Sequence, residues 1–190
     1  NECSNDESSY PTIFIHGHSF LSWDSPEYSL DAFNGIQAQL YTEGFRNGGM
    51  MLPGVSQSNY HAGELGKVKT PATLKTTYYY NVYDSNGQLL RGPSKQESID
   101  EYAQRLSNVV ESVKYRTGRS KVNIVAHSMG GLVARDYIKN YGGESSVNKL
   151  IMIGTPNHGV YRQVEDRCPW LGANTECAEM VNGSSFLNKL

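Results

Sequence analysis

The chain has 190 residues, 38% of them hydrophobic and 19% charged, and its 17 basic and 19 acidic side chains leave a formal charge of −2. That length fits one domain with a core that needs no stapling, and a balanced charge without a Lys/Arg-rich run excludes an electrostatic nucleic-acid binder. No apolar stretch reaches the roughly 18 to 20 residues of a membrane span, and thirteen Tyr within an 11% aromatic content exclude global disorder.

Residues 1–10 form a polar leader without periodicity, read as flexible. The chain begins with Asn and shows no apolar signal core, so it reads as one whose targeting segment is already removed. Pro11 to His16 is a short buried strand closed by Gly17. Residues 26–43 carry Tyr28, Leu30, Phe33, Ile36 and Leu40 at helical spacing, with Gly44 as a stop. From 45 to 74 the pattern lapses into a Gly-, Ser- and Asn-rich loop insertion. Within it, Met50–Pro53 reads either as cover for an apolar site or as a loop tucked into its own small core.

Leu74–Tyr83 alternates as a strand and ends in an Asp84–Gly87 turn. Ser94 and Glu97 have the spacing of a capping box. Ile99, Tyr102, Leu106, Val109, Val110 and Val113 then mark one helix face, stopped by Gly118. Strands follow at 121–126 and 149–154, separated by a helix bearing Leu132, Val133, Tyr137, Ile138 and Tyr141 and closed by Gly142-Gly143. Glu176–Leu190 reads as short helix or loop. This alternation predicts an α/β fold: a mostly parallel sheet with helices on both faces, occupying residues 11–190.

Ala126-His-Ser128-Met-Gly130-Gly131 stands where a strand turns into a helix. A serine there projects its hydroxyl above the carboxyl edge of the sheet, and the next backbone N–H points out of the helix N-terminus. The tight turn requires small residues two before and two after the serine. Ala126 and Gly130 satisfy this, although Gly is usual in both places. The competing reading is an ordinary serine N-cap. His16-Gly17-His18-Ser19 ends the first strand, and loops at the carboxyl ends of neighbouring parallel strands meet at the ligand crevice. The backbone N–H groups of His18 and Met129 are therefore the candidate oxyanion donors, and the His16 and His127 side chains are read as structural supports.

PTIFIHGHS, VNIVAHSMGGLVARDYI and IGTPNHG resemble the α/β-hydrolase fold, in particular the minimal secreted bacterial-type lipases and esterases. The tail from Cys168 to Leu190 is similar to the segment after the sixth strand in that group. The resemblance implies ester hydrolysis through an acyl-enzyme on Ser128, an oxyanion hole from His18 and Met129, no metal or organic cofactor, and an ester or lipid substrate. The same scaffold also carries amidases, thioesterases, acyltransferases and polyester depolymerases. A non-catalytic binding module, or half of a two-chain enzyme, is the alternative of another class.

A serine needs a base, and the base an orienting acid, in the chain order Ser, Asp/Glu, His. After Ser128 the only histidine is His158, and the only aspartates are Asp136 and Asp166. Asp136 lies about 12 Å along its helix at 1.5 Å per residue. His158 follows its strand too closely for the pattern. The expectation is that base and acid lie outside these residues, on missing strands or a second chain. A rearranged triad of His158 with Asp166 or Glu165 is the competing arrangement. Cys168 and Cys177 flank a short loop and are expected to pair, favouring a secreted or periplasmic location, with Cys3 left over. No His/Cys/Asp cluster has metal spacing and no glycine loop suits a phosphate. Asn182-Gly-Ser184 is a formal glycosylation sequon.

Overall fold

The computed structural model describes residues 7–18, 29–53, 61–65, 70–79, 97–161 and 174–190. Five strands carry the sheet: β1 (Thr12–Ile15), β2 (Arg46–Met51), β3 (Ala72–Thr76), β4 (Val122–His127) and β5 (Val147–Ile153). The helices are α1 (Asn34–Thr42), α2 (Ile99–Thr117), α3 (Met129–Asn140), α4 (Gly143–Ser146), α5 (Asn174–Met180) and α6 (Ser185–Lys189). The strand order is β2-β3-β1-β4-β5, and every pair is parallel. The α/β class read from the sequence is the fold observed.

The order places a topological switch between β1 and β4. From β1 the chain moves toward β2 and β3, whereas from β4 it moves the opposite way to β5. In sheets of this topology the carboxyl ends of two such neighbouring strands are where ligands bind. Ile15 is paired with Ala126, so the chain enters the His16-Gly17-His18 loop and the Ser128 turn side by side.

Both faces of the sheet are covered. Ile13, Ile15, Leu74, Ile124 and Ala126 pack into one core with Leu106, Val109, Val110 and Val113 of α2 and Leu132 and Val133 of α3. On the other face Phe14 and Val125 meet Leu30, Phe33 and Leu40. The apolar face predicted for α2 is buried at every named position, each at 1% exposure or less. Each such large aliphatic side chain withdrawn from water contributes about 1.5–3 kcal/mol. The α2 ends are also defined: Asp100 and Glu101 lie in its first turn, Lys114 and Arg116 in its last, and Gly118 closes it at φ 63°.

Several boundaries differ from the sequence reading. Residues 45–74 are not patternless throughout, because β2 and the start of β3 lie there. β2 is the sheet edge and bulges between Asn47 and Met50, where Gly49 adopts φ 73°. A bulge breaks strand alternation, which is why the strand has no readable period. Met51 enters the main core while Met50 stays 40% exposed, so the Met50–Pro53 stretch does not form a small core of its own. β3 starts at Ala72 and ends at Thr76 rather than running 74–83, and residues 80–83 lie outside those described. The capping box is Ser98 with Glu101, one turn beyond the Ser94–Glu97 spacing. Helical structure in the 26–43 region is described from residue 29, passing through a 3-10 turn at Asp31–Phe33 into α1. The 1–10 leader ends in a 3-10 turn at Glu7–Ser9, with Ser9 and Tyr10 buried.

Candidate active site

Ser128 is the sole non-glycine residue with positive φ among the described residues, at φ 51° and ψ −127°. Such backbone costs about 1–3 kcal/mol and persists only where its surroundings enforce it. Two hydrogen bonds and three close approaches at glycines surround it here. The Ser128 N–H donates to the Ile153 carbonyl at 2.8 Å, and the Gly131 N–H donates to the Ser128 carbonyl at 3.0 Å. A Cβ on Gly17 would stand 2.6 Å from the Ser128 Cβ. A Cβ on Gly130 would collide with the His16 carbonyl oxygen, and one on Gly131 with the Thr155 hydroxyl. The glycines on either side of the serine thus let three backbone segments converge.

The Ser128 hydroxyl makes no cap hydrogen bond, although Ser128 occupies the N-cap position of α3. An ordinary helix-capping serine would spend its oxygen on the second or third N–H of the helix. Here that oxygen is withheld from the helix. Met129 begins α3, so its N–H precedes the intrahelical ladder and faces the turn. Gly17 brings the His18 segment against the same turn. The HGH loop and the Ser128–Met129 turn, singled out in the sequence, therefore lie side by side at the carboxyl ends of β1 and β4.

The His16 side chain supports this loop as expected. Its ring is fully buried, with Nδ1 2.6 Å from the Gly17 carbonyl and Nε2 2.7 Å from the Thr77 hydroxyl. The Tyr78 hydroxyl donates to the His16 carbonyl at 2.8 Å, and the two rings stack at 4.3 Å. His127 is exposed, with its ring beside Gly17.

Sequence reasoning missed the group behind His18. Its Nε2 lies 2.6 Å from Oε1 of Glu176 on α5, with the two side chains 2% and 0% exposed. The Tyr79 hydroxyl donates to the same carboxylate oxygen at 3.4 Å. Burial, followed by the charge of Glu176, raises the Tyr78 and Tyr102 phenols well above their ordinary value, so both remain protonated donors. No motif could have flagged Glu176, because one acidic residue in a short helix has no spacing of its own.

Two of the remaining triad candidates, Asp136 and His158, lie among the described residues. Asp136 is buried on α3, where Oδ1 accepts from Asn140 at 2.5 Å. His158 is exposed in the loop after β5, and its carbonyl accepts from Asn182. Glu165, Asp166 and Cys168 lie outside the described residues, as do Ser19, Ser94 and Cys3. A groove of about 720 Å³, lined by Leu30, Asn34, Tyr41, Met50 and Lys75, sits on the α1 face and includes none of the motif residues. Among the described residues no three His, Cys, Asp or Glu are grouped to hold a metal ion. None of the described helices is long and apolar enough to cross a membrane.

The family model of palmitoyl protein thioesterases matches residues 50–189, which include the Ser128 turn and α5. The chain belongs to the palmitoyl protein thioesterase family. It is also 27% identical over 95 residues to lecithin-cholesterol acyltransferase-like 4 of Arabidopsis thaliana, a match covering 49% of this chain and 15% of that protein. Three solved structures share the fold. Mature Bacillus licheniformis lipase BlEst2 superposes with a TM-score of 0.53 at 17% identity, over 98% of this thioesterase-family chain and 59% of the lipase. Aspergillus fumigatus lipase B gives 0.50 at 13% identity, over 97% and 34%. The lin2722 product of Listeria innocua gives 0.50 at 23%, over 82% and 55%. The family-model match assigns the family, and these neighbours establish the shared fold. The chain spans about a seventh of the curated relative and under two thirds of each of these structures.

Proposed function

We propose that this thioesterase-family chain carries the nucleophile and oxyanion hole of a serine hydrolase acting on carboxylic esters or thioesters of lipid-derived acyl groups. The observation that carries the reading is the Ser128 backbone, held at φ 51° with its hydroxyl excluded from helix capping. Ser128 Oγ attacks the acyl carbonyl. The carbonyl oxygen gains negative charge and is held by the His18 and Met129 N–H groups. Collapse of this intermediate breaks the bond to the alcohol or thiol and leaves the acyl group on Ser128, and water then releases the acid and restores the hydroxyl. A thiol, with a pKa of about 8.5, leaves with less protonation than an alcohol requires. The family match therefore favours the thioester over the oxygen ester.

The base and its acid are proposed to come from sequence outside these 190 residues, because His158 is exposed and Asp136 is buried along α3. A second chain carrying them is one source. A Cys168–Cys177 pairing and a secreted or periplasmic location belong to the same proposal. They are supported by the burial of Cys177 at 4% exposure on α5 and by the short loop between the two cysteines.

Fluorophosphonate labelling of the purified chain, read by intact mass beside Ser128→Ala, tests the nucleophile. A single adduct lost in the variant supports Ser128 as the nucleophile and overturns the placement of the base outside these residues, and an adduct that survives Ser128→Ala sinks the nucleophile. A folded chain that labels only after a second polypeptide is added would assign the base to that polypeptide. Turnover of an ester and a thioester with the same acyl chain then ranks the two leaving groups.

A further inference from the structure

Burying a carboxylate is costly unless partners compensate it. Glu176 is fully buried, and the partners it meets converge from three directions. His18 approaches from the loop after β1 at 2.6 Å and Tyr79 from the segment after β3 at 3.4 Å, while Tyr102 approaches from α2. The segment after β3 is itself pinned, because Arg105 of α2 donates to the Tyr78 carbonyl at 3.0 Å and forms an ion pair with Glu97. The His16, Tyr78, Tyr79 and Tyr102 rings pack with centroids 4.3 to 5.2 Å apart, filling the space behind the loop. A buried polar contact of this kind is weak evidence for stability, and the attested use of such groups is to fix register. Here the register it fixes is that of His18, one residue beyond the glycine that touches Ser128.

We propose that Glu176 is a positioning residue for the oxyanion hole: through its 2.6 Å contact with the His18 ring it ties α5 to the loop after β1 and aims the His18 N–H at the Ser128 turn. This rests on the reading of Ser128 as nucleophile and of the His18 N–H as donor. Glu176 touches no reacting atom. It acts by keeping the donor at the place where charge develops, and displacement of a catalytic group by about 1 Å can cost up to 10²-fold in rate.

The test combines amide hydrogen exchange by mass spectrometry with phosphonylation rates on the purified chain. Glu176→Gln keeps the shape and removes the charge. In it, peptides covering residues 12–18 are expected to exchange at least tenfold faster, with β4 and the middle of α2 unchanged, and Ser128 phosphonylation to slow at least tenfold. Glu176→Asp should recover part of the rate, since it restores the charge. His18→Ala, which keeps the backbone N–H and loses the tether, should cause a loss that Glu176→Gln does not deepen. Wild-type exchange and labelling in Glu176→Gln would overturn the inference. So would faster exchange throughout the molecule, which marks a merely structural residue. If the wild-type chain labels at Ser128 neither alone nor with a base-supplying second polypeptide added, the nucleophile reading fails, and local exchange still decides whether Glu176 holds the loop.

Discussion

At the scale of single residues, the candidate site is a set of backbone approaches that only glycine allows, surrounding one strained serine. Ser128→Gly removes the strain of φ 51° and adds the flexibility of glycine to the unfolded chain. The first effect is about 1–3 kcal/mol and the second about 0.5–1 kcal/mol in the opposite direction. The expected outcome is a variant more stable by about 1 kcal/mol in urea titration and unable to label. Unchanged or lower stability would show that the turn carries no strain. Gly130→Ala is expected to act oppositely, because its Cβ is driven into the His16 carbonyl, which Tyr78 already holds in place. A loss of about 1–3 kcal/mol, with slowed Ser128 labelling, is the predicted result. The residue-scale reading from sequence succeeded where a motif carries its own geometry. AHSMGG predicted the strand-to-helix turn and HGH its neighbour, because small residues at fixed offsets are demanded by the turn itself. It failed at Glu176, whose place depends on where α5 packs.

At the scale of elements, α2 shows how local signals and packing agree. Ser98 accepts from the Glu101 N–H at 3.2 Å, and the Ser98 N–H donates back to the Glu101 carboxylate at 3.1 Å. Ser98→Ala is expected to cost about 1 kcal/mol in chemical denaturation, and a loss below 0.3 kcal/mol would mean that tertiary contacts alone hold this helix start. Ser94 and Glu97 have the same spacing, so sequence alone could not choose between the two boxes. The observed choice uses Glu97 for Arg105 instead. β2 was hidden for another reason: a Gly-Gly bulge in an edge strand erases alternation. β5 presents the converse. Its Leu-Ile-Met-Ile run is typical of a strand covered on both faces, yet Ile151 is 54% and Ile153 48% exposed. Their register with Val125 and His127 puts them on the α1 face, beyond the cover that Leu30 and Phe33 give Val125. An apolar parallel edge that no other described strand pairs favours association. Replacing both with Lys should change stability by less than about 0.5 kcal/mol and reduce concentration-dependent light scattering. Strong destabilisation would instead mean that this face is covered in solution.

At the scale of the whole molecule, α5 and α6 close the structure against the helices of the main core, and the seam between them is acidic. Asp100 of α2, Asp136 of α3 and Glu179 of α5 line one pocket with Lys189 of α6. Burial raises the Asp136 carboxyl, and Asp100 adds to the rise, against a hydrogen bond from Asn140 and the charge of Lys139. Burial likewise raises Glu179, with Asp100, Asp136 and Glu176 repelling its charge, while the Ile99 N–H at the start of α2 favours the ionised form at 2.6 Å. A carboxyl raised on folding binds its proton more tightly in the native state than in the unfolded one. Its stabilising effect is therefore complete below the ordinary values of 3.8 for Asp and 4.5 for Glu. It is lost as pH climbs from there through the raised values. These two groups should make the fold more tolerant of mild acid than its other carboxylates would, and each ionised form weakens the seam at neutral pH. Asp136→Asn keeps the shape, can still bond Asn140 and removes one of the three charges. Its melting temperature at pH 7 is expected to exceed that of the parent, and the difference should shrink as the pH falls toward 4. A difference that persists at pH 4 would trace the gain to packing rather than to charge. A parent stability flat from pH 4 to 7, with no gain in the variant, would show that the two raised carboxyls do not hold this seam.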